Sequence, residues 1–273
     1  MSNESSDKRL PILFLLDVTA SMLKGTESRN RLVLLNKFLE DFICICIQDS
    51  NIRKSADVCF MTFADDIYLK TGFENIRWMK EKMDPPLYRH PNCGDVTWKS
   101  CCDLDGKYKK EFHVPSFSWK RDNGTNIGLA LKEAVAVLEN RVKACGSGGA
   151  YPPFLILVTD GHPYEPGNDC YYEDLAAQEE AVRCLRAHSR THHDENNLII
   201  PLVIGVGNDN INVTRLGEFA QVFEAGYFHI SDADAEADWE YLKSILALSL
   251  RASLTVTDLA YIDDLLEKLN HKA

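Results

Sequence analysis

Two aspartates that end apolar runs are the first residues whose positions suggest chemistry. The run FLLD ends at Asp17 and is followed by hydroxyls at Thr19 and Ser21, and the run FLILVTD ends at Asp160. In open α/β sheets, ligands bind at the carboxyl ends of the strands. If these two strands are neighbours, the four side chains meet at one edge of a sheet. Thr125, at the start of a helical pattern in GTNIGLAL, is expected at the same place.

The five side chains would supply only oxygen ligands, two of them from carboxylates. Such a set suits a hard divalent cation, Mg²⁺ before Mn²⁺ or Ca²⁺, because these ions prefer oxygen and Mg²⁺ keeps several of its waters. Taken singly, each residue has a second interpretation: Asp17 and Thr125 could cap helices, and Asp160 could begin a turn before Gly161. The residues alone leave both interpretations open.

A strand-end aspartate can also be a phosphatase nucleophile, and LLDVT superficially resembles the haloacid-dehalogenase-type enzymes in this respect. Those enzymes need a second aspartate two positions later as general acid, where this chain has Thr19, and a lysine in a matching strand-end context, which the sequence lacks. A magnesium-dependent phosphatase is therefore the least favoured alternative, and we predict that the chain is not an enzyme.

The elements that must position these residues alternate along the chain. Apolar runs typical of buried strands occur in RLPILFLLD, VCFMTF, FLILVTD, NNLIIPLVIGVG and YFHI. Between them, apolar residues recur at helical spacing, as at Leu131, Val135, Leu138 and Val142. Continuous apolar strands between amphipathic helices predict an α/β fold with a doubly wound, mostly parallel central sheet and helices on both faces.

One such domain is predicted over residues 9–250, and two segments depart from its pattern. Residues 84–121 form an irregular, Cys-rich insertion that is too long for an ordinary connection. Residues 251–273 are predicted to form an extra C-terminal amphipathic helix.

Three separated motifs occur in an order that resembles the von Willebrand factor A (vWA) domain with its metal-ion-dependent adhesion site (MIDAS). They are Asp17-Val18-Thr19-Ala20-Ser21, Gly124-Thr125-Asn126 and Thr159-Asp160-Gly161. The chain looks most similar to short bacterial intracellular vWA proteins of the tellurium-resistance and stress type. Thr19 stands where the family usually has Ser, which keeps the hydroxyl but restricts its rotamers.

The resemblance implies a Rossmann-like fold in which Thr19, Ser21 and Thr125 bind the metal through hydroxyls. Asp17 and Asp160 would bind it directly or through water. It also implies an open coordination position that the Asp or Glu of a partner protein fills. The expected function is a metal-dependent protein–protein interaction module, a scaffold or adaptor in a bacterial stress or defence system. Some family members regulate AAA+ ATPases, so a regulatory subunit of a separate ATPase is the alternative.

The insertion contains thiols and imidazoles that could form a second metal site. Structural zinc could be held by His90, Cys93, Cys101, Cys102 and His113. Their spacing is irregular and lacks a Cys-x-x-Cys motif, which favours the alternative that these thiols pack beneath aromatic side chains of the same loop.

Composition narrows the partners and the location. The 41 acidic residues against 30 basic ones give a net charge of −11, which argues against nucleic acid and anionic membrane surfaces. The N-terminal residues lack an apolar run of signal-peptide length, and several cysteines lie in apolar runs, as buried reduced thiols do. These features predict a cytoplasmic protein.

Overall fold

A computed structural model describes residues 8–26, 30–63, 67–70, 99–100, 127–145, 149–161, 171–187, 199–208 and 210–255. Within these residues, one sheet contains the strands β1 (Leu10–Asp17), β2 (Ala56–Phe63), β3 (Ile67–Lys70), β4 (Lys99–Ser100), β5 (Phe154–Thr159), β6 (Ile200–Val206) and β7 (Gly226–Ile230).

The sheet is parallel through its centre. Its strand order is β3-β2-β1-β5-β6-β7, and the strands from β2 to β7 in this order pair in parallel. β3 and β4 both pair antiparallel with β2. β4 lies within the insertion of residues 84–121, so this part of the insertion extends the sheet. All eight residues of β1 are buried, which accounts for its continuous apolar sequence.

Helices cover both faces of the sheet. Face A, where Leu10, Ile12, Phe14 and Leu16 of β1 lie, is covered by α1 (Arg31–Gln48), α2 (Ser50–Ser55) and α6 (Ala235–Thr255). Face B, where Leu13 and Leu15 lie, is covered by α3 (Ile127–Ala144), α4 (Tyr171–Ala187) and α5 (Asn210–Val222). The predicted doubly wound α/β fold is confirmed.

Aromatic packing fixes α1 on face A. The ring of Phe14 in β1 stacks on Phe60 of β2 with centroids 5.3 Å apart, and it meets Phe42 of α1 edge-on at 5.5 Å. Phe38 of α1 lies 4.7 Å from Trp239 of α6, so the same cluster joins the two helices. The orientation of α1 places its first residue, Arg31, at the carboxyl edge of the sheet.

The strand order reverses between β1 and β5. From β1 the chain crosses face A to β2 on one side, while β5, β6 and β7 add to the other side through the helices of face B. A crevice forms at the carboxyl ends of strands where the order reverses. Asp17 and Asp160 lie at this point.

Helix α6 runs through the predicted boundary at residue 250 and continues to Thr255. Residues 256–273 lie outside the described residues, as do residues 84–98 and 101–121 of the insertion, so both boundaries stay predictions. None of the helices in the described part of the chain is long and apolar enough to cross a membrane.

Candidate metal centre

Asp17 joins the end of β1 to the end of β5. Its side chain is fully buried, and its Oδ1 accepts a hydrogen bond from the backbone N–H of Thr19 at 2.8 Å. Its Oδ2 accepts one from the hydroxyl of Thr159 at 2.5 Å. The pairing of β1 with β5 ends at Leu16 and Val158, so the next residues on each strand, Asp17 and Thr159, are neighbours.

The two hydroxyls after β1 lie against the second aspartate. The Oγ of Ser21 donates to Oδ1 of Asp160 at 2.6 Å, and the Oγ1 of Thr19 lies 2.8 Å from the Oγ of Ser21. A serine hydroxyl has a single proton, so Thr19 is the donor to Ser21. These two bonds leave both lone pairs of the Thr19 oxygen and one lone pair of the Ser21 oxygen unused. A short 3-10 helix over Ala20–Leu23 holds this geometry.

The donor set fits a hard divalent cation. Mg²⁺ takes oxygen ligands at about 2.0–2.1 Å in octahedral geometry, so neighbouring ligand oxygens lie about 2.9 Å apart. The Thr19–Ser21 separation of 2.8 Å and the Ser21–Asp160 separation of 2.6 Å are close to this spacing. Thr19, Ser21 and Asp160 would hold the ion. Asp17 accepts hydrogen bonds from Thr19 and Thr159, keeps acceptor capacity on each oxygen, and would bind the ion directly or through water.

The electrostatics of the two aspartates favour a cation beside them. Burial raises the pKa of Asp17 to about 7, and the nearby charge of Asp160 adds to the rise. Burial also raises the pKa of Asp160, although Ser21 and Arg31 oppose it. Two buried carboxylates this close are costly as a pair of anions, and a bound cation removes that cost.

A guanidinium also contacts this cluster. Nη1 of Arg31, the first residue of α1, donates to Oδ2 of Asp160 at 2.5 Å. Its Nε and Nη2 donate to the two carboxylate oxygens of Asp232 at 2.9 and 2.7 Å. These hydrogen bonds lower the pKa of Asp232, which follows β7. Arg31 therefore bridges the ends of β5 and β7.

Four of the five predicted metal ligands come together: Asp17, Thr19, Ser21 and Asp160. Thr125 lies outside the described residues, as do the zinc candidates His90, Cys93, Cys101, Cys102 and His113. Among the residues that are described, no group of three or more His, Cys, Asp or Glu could hold a metal ion. The candidate centre thus depends on hydroxyls as well as carboxylates, and the ligand roles stay predictions.

Sequence analysis missed Thr159, Arg31 and Asp232. Thr159 is part of the Thr159-Asp160-Gly161 motif. The predicted pairing of the strands that end at Asp17 and Asp160 was the signal that could have placed its hydroxyl beside Asp17. Arg31 and Asp232 are 201 residues apart, and no local pattern joins them. The one available signal was a basic residue at the first position of a helix, where the helix dipole disfavours a positive charge.

No family model and no curated protein sequence matches the chain. Its structure is similar to a mutant of the PilB minor pilin from Streptococcus sanguinis, with a TM-score of 0.58 and 11% identity over 92% of this chain and 64% of the pilin. For the pilus adhesin SpaC from Lactobacillus rhamnosus GG, the TM-score is 0.53 and the identity 14%, over 89% of this chain and 30% of the adhesin.

A third similar structure is proximal thread matrix protein 1 from the mussel byssus, with a TM-score of 0.50 and 17% identity over 89% of this chain and 47% of the matrix protein. The chain thus spans less than two thirds of each of these structures. At identities this low, the similarity concerns the fold alone. Sheet order, helix placement and these neighbours together show that the chain has the α/β fold of vWA-type domains.

Proposed function

We propose that this chain is a metal-dependent protein-interaction module. Thr19, Ser21 and Asp160 bind a divalent cation, Mg²⁺ before Mn²⁺ or Ca²⁺, with Thr125 as a further ligand and Asp17 bound to the ion directly or through water. An Asp or Glu of the partner completes the coordination. The observation that carries this proposal is that the oxygens of Thr19, Ser21 and Asp160 meet beside the buried carboxylate of Asp17 at the carboxyl edge of the sheet.

The binding function is favoured over catalysis by the chemistry of the same side chains. Ser21 donates its proton to Asp160, but Arg31 donates to the other oxygen of that carboxylate and so makes it a weaker base for Ser21. One of the similar structures, SpaC, is described as a pilus adhesin, a name that denotes a binding protein.

The proposal extends to location and context. The cysteines of the described residues are reduced thiols, which suits a reducing cytoplasm; they are Cys44, Cys46, Cys59, Cys145 and Cys184. A scaffold or adaptor in a bacterial stress or defence system, as in vWA proteins of the tellurium-resistance type, is the context that the sequence resemblance favours. The alternative function is that of a regulatory subunit, for which the partner is a separate AAA+ ATPase.

Metal binding is tested by thermal unfolding of the full chain with EDTA, MgCl₂ and MnCl₂. At a metal concentration of 100 times Kd, a folded-state ligand stabilises by about 2.7 kcal/mol. We expect a rise in Tm for the wild type and none for Asp17→Ala or Ser21→Ala. Asp49→Ala is the matched control, because Asp49 is also a hydrogen-bonded aspartate but caps a helix away from the site. An equal rise in all variants would contradict the metal site.

The partner contact is tested by affinity purification with Mn²⁺ or with a chelator, followed by mass spectrometry. We expect capture that depends on the metal and is lost in Ser21→Ala. Capture that survives chelation would mean that the partner binds another surface.

A further inference from the structure

Arg31 is a buried cation held on three sides at the carboxyl edge of the sheet. Only 8% of its side chain is exposed, and its guanidinium donates to Asp160 and, through two nitrogens, to Asp232. Gly207, which follows β6, closes the third side, because a Cβ at this position would collide with the guanidinium. The backbone φ of Gly207 is +115°, a conformation that favours glycine.

Helix formation does not explain this placement. Arg31 is the first residue of α1, where the unpaired N–H groups and the helix dipole make a positive charge unfavourable. The helix is capped instead by Asn30, whose side chain accepts from the backbone N–H of Val33 at 2.9 Å. Within the described part of the chain, the carboxylates of Asp160 and Asp232 compensate for burying this charge, so contacts at the site and not the helix account for the position of Arg31.

The guanidinium shares a carboxylate with the proposed metal. Oδ1 of Asp160 accepts from Ser21, on the side of the proposed ligands, and Oδ2 accepts from Arg31. A divalent ion at Thr19 and Ser21 would therefore bind next to a fixed positive charge in a largely buried site, where charges are poorly screened.

We propose that Arg31 is a resident counter-ion of the metal site, which stabilises the carboxylates when no metal is bound and weakens the binding of divalent metal. This inference rests on the proposed function, since it concerns the same site. Arg31 is thus a residue that sets metal affinity without being a ligand. If Arg31 instead positions Asp160 for the metal, neutralising Arg31 should weaken the binding of divalent metal.

The test is Mn²⁺ binding to the full chain, measured by titration calorimetry and by the electron paramagnetic resonance signal of free Mn²⁺. We expect Arg31→Met, which removes the charge and keeps much of the side-chain volume, to bind Mn²⁺ about tenfold more tightly or better. Arg31→Lys, which keeps the charge, should stay within about threefold of the wild type. In EDTA, Arg31→Met should have a lower Tm than the wild type, and its rise in Tm on adding Mn²⁺ should be larger.

Arg141→Met is the matched control. Arg141 also pairs with a buried aspartate, Asp57, which lies in register with Pro11 at the amino end of β1, the opposite edge of the sheet. This variant should lower Tm in EDTA while leaving the affinity for Mn²⁺ unchanged. If Arg31→Met does not fold in EDTA, its refolding on addition of Mn²⁺ supports the proposal, and Arg31→Gln, which keeps an amide donor for Asp160, serves for the affinity comparison.

Two results overturn the proposal, and they differ. If the wild type binds Mn²⁺ and the neutral Arg31 variants bind it equally or more weakly, Arg31 is a positioning residue, and the proposed metal site stands. If neither the wild type nor any neutral Arg31 variant binds Mn²⁺ at millimolar concentration, the proposed function fails together with the inference.

Discussion

At the scale of single residues, the hydroxyl of Thr19 is the group on which the candidate site most directly depends. Thr19 is 4% exposed, its backbone N–H is bonded to Asp17, and its Oγ1 lies against Ser21. These contacts fix the backbone and the hydroxyl of Thr19, and its branched Cβ allows the side chain few rotamers. The methyl group therefore does not displace the oxygen from the site, although the resemblance to vWA domains leads one to expect Ser at this position.

A pair of substitutions at Thr19 separates the hydroxyl from the methyl. Thr19→Val keeps the shape and removes the oxygen, so we expect Mn²⁺ affinity to fall about tenfold or more, with a loss of about 1 kcal/mol in the free energy of unfolding without metal. Thr19→Ser keeps the oxygen, so its affinity should stay within a few-fold of the wild type. Calorimetry and chemical denaturation measure both quantities. Wild-type affinity in Thr19→Val would remove Thr19 from the ligand set.

Which residues could be foreseen depends on how local their signal is. Asp17, Thr19 and Ser21 follow one apolar strand, and Asp160 ends another, so strand patterns and a resemblance were enough to find them. The partners of Arg31 are set by tertiary structure, since Asp160 and Asp232 are 129 and 201 residues away in the chain. No periodicity encodes such a contact.

At the scale of elements, the parallel strands and the long helices were predictable because each has a continuous or periodic set of apolar residues. β4 was not, because its two residues, Lys99 and Ser100, carry no apolar pattern and owe their strand pairing to the edge of β2. The predicted boundary at residue 250 lies inside α6, because an amphipathic pattern that continues from one helical segment to the next gives no stop signal.

The junction between α1 and α2 shows how one side chain can hold three elements. Asp49 follows the last residue of α1 and caps α2, where its Oδ1 accepts from the backbone N–H groups of Asn51 and Ile52. Its Oδ2 accepts from Nε of Arg251 in α6 at 2.8 Å. Partial burial acts to raise the pKa of Asp49, but these three donors outweigh it, and the pKa is lowered from its ordinary value of 3.8.

The lowered pKa sets the sign of a pH effect. Stability from the ionised Asp49 is present above its unfolded-state pKa of 3.8 and is lost as the pH falls through the folded value. We expect Asp49→Ala to cost about 1 kcal/mol in the free energy of unfolding at pH 7, and we expect the difference from wild type to shrink below pH 4. Asp49→Asn, which still caps, should stay close to wild type at pH 7. Urea denaturation from pH 7 to pH 3 tests this, and a constant difference for Asp49→Ala would contradict it.

At the scale of the whole molecule, β1 is the element that the two faces share. Its residues enter both apolar clusters, Phe14 and Leu16 on face A and Leu13 and Leu15 on face B, and every one of these side chains is fully buried. The same strand ends in Asp17, so the strand that joins the two halves of the core also positions the candidate site. Because both layers pack on this strand, we expect them to unfold together.

Because both faces pack on β1, we expect a destabilising substitution on one face to lower the stability of the other face as well. Leu13→Ala removes a fully buried side chain from face B, and a substitution of this kind costs about 2–5 kcal/mol in the free energy of unfolding. Leu248→Ala makes the same chemical change where the side chain is 43% exposed, and it should cost about 0.5 kcal/mol or less. Because β1 couples the layers, amide hydrogen exchange in Leu13→Ala should accelerate in α6 on face A as much as in α3 on face B. Acceleration confined to α3, α4 and α5 would show that the two faces unfold separately.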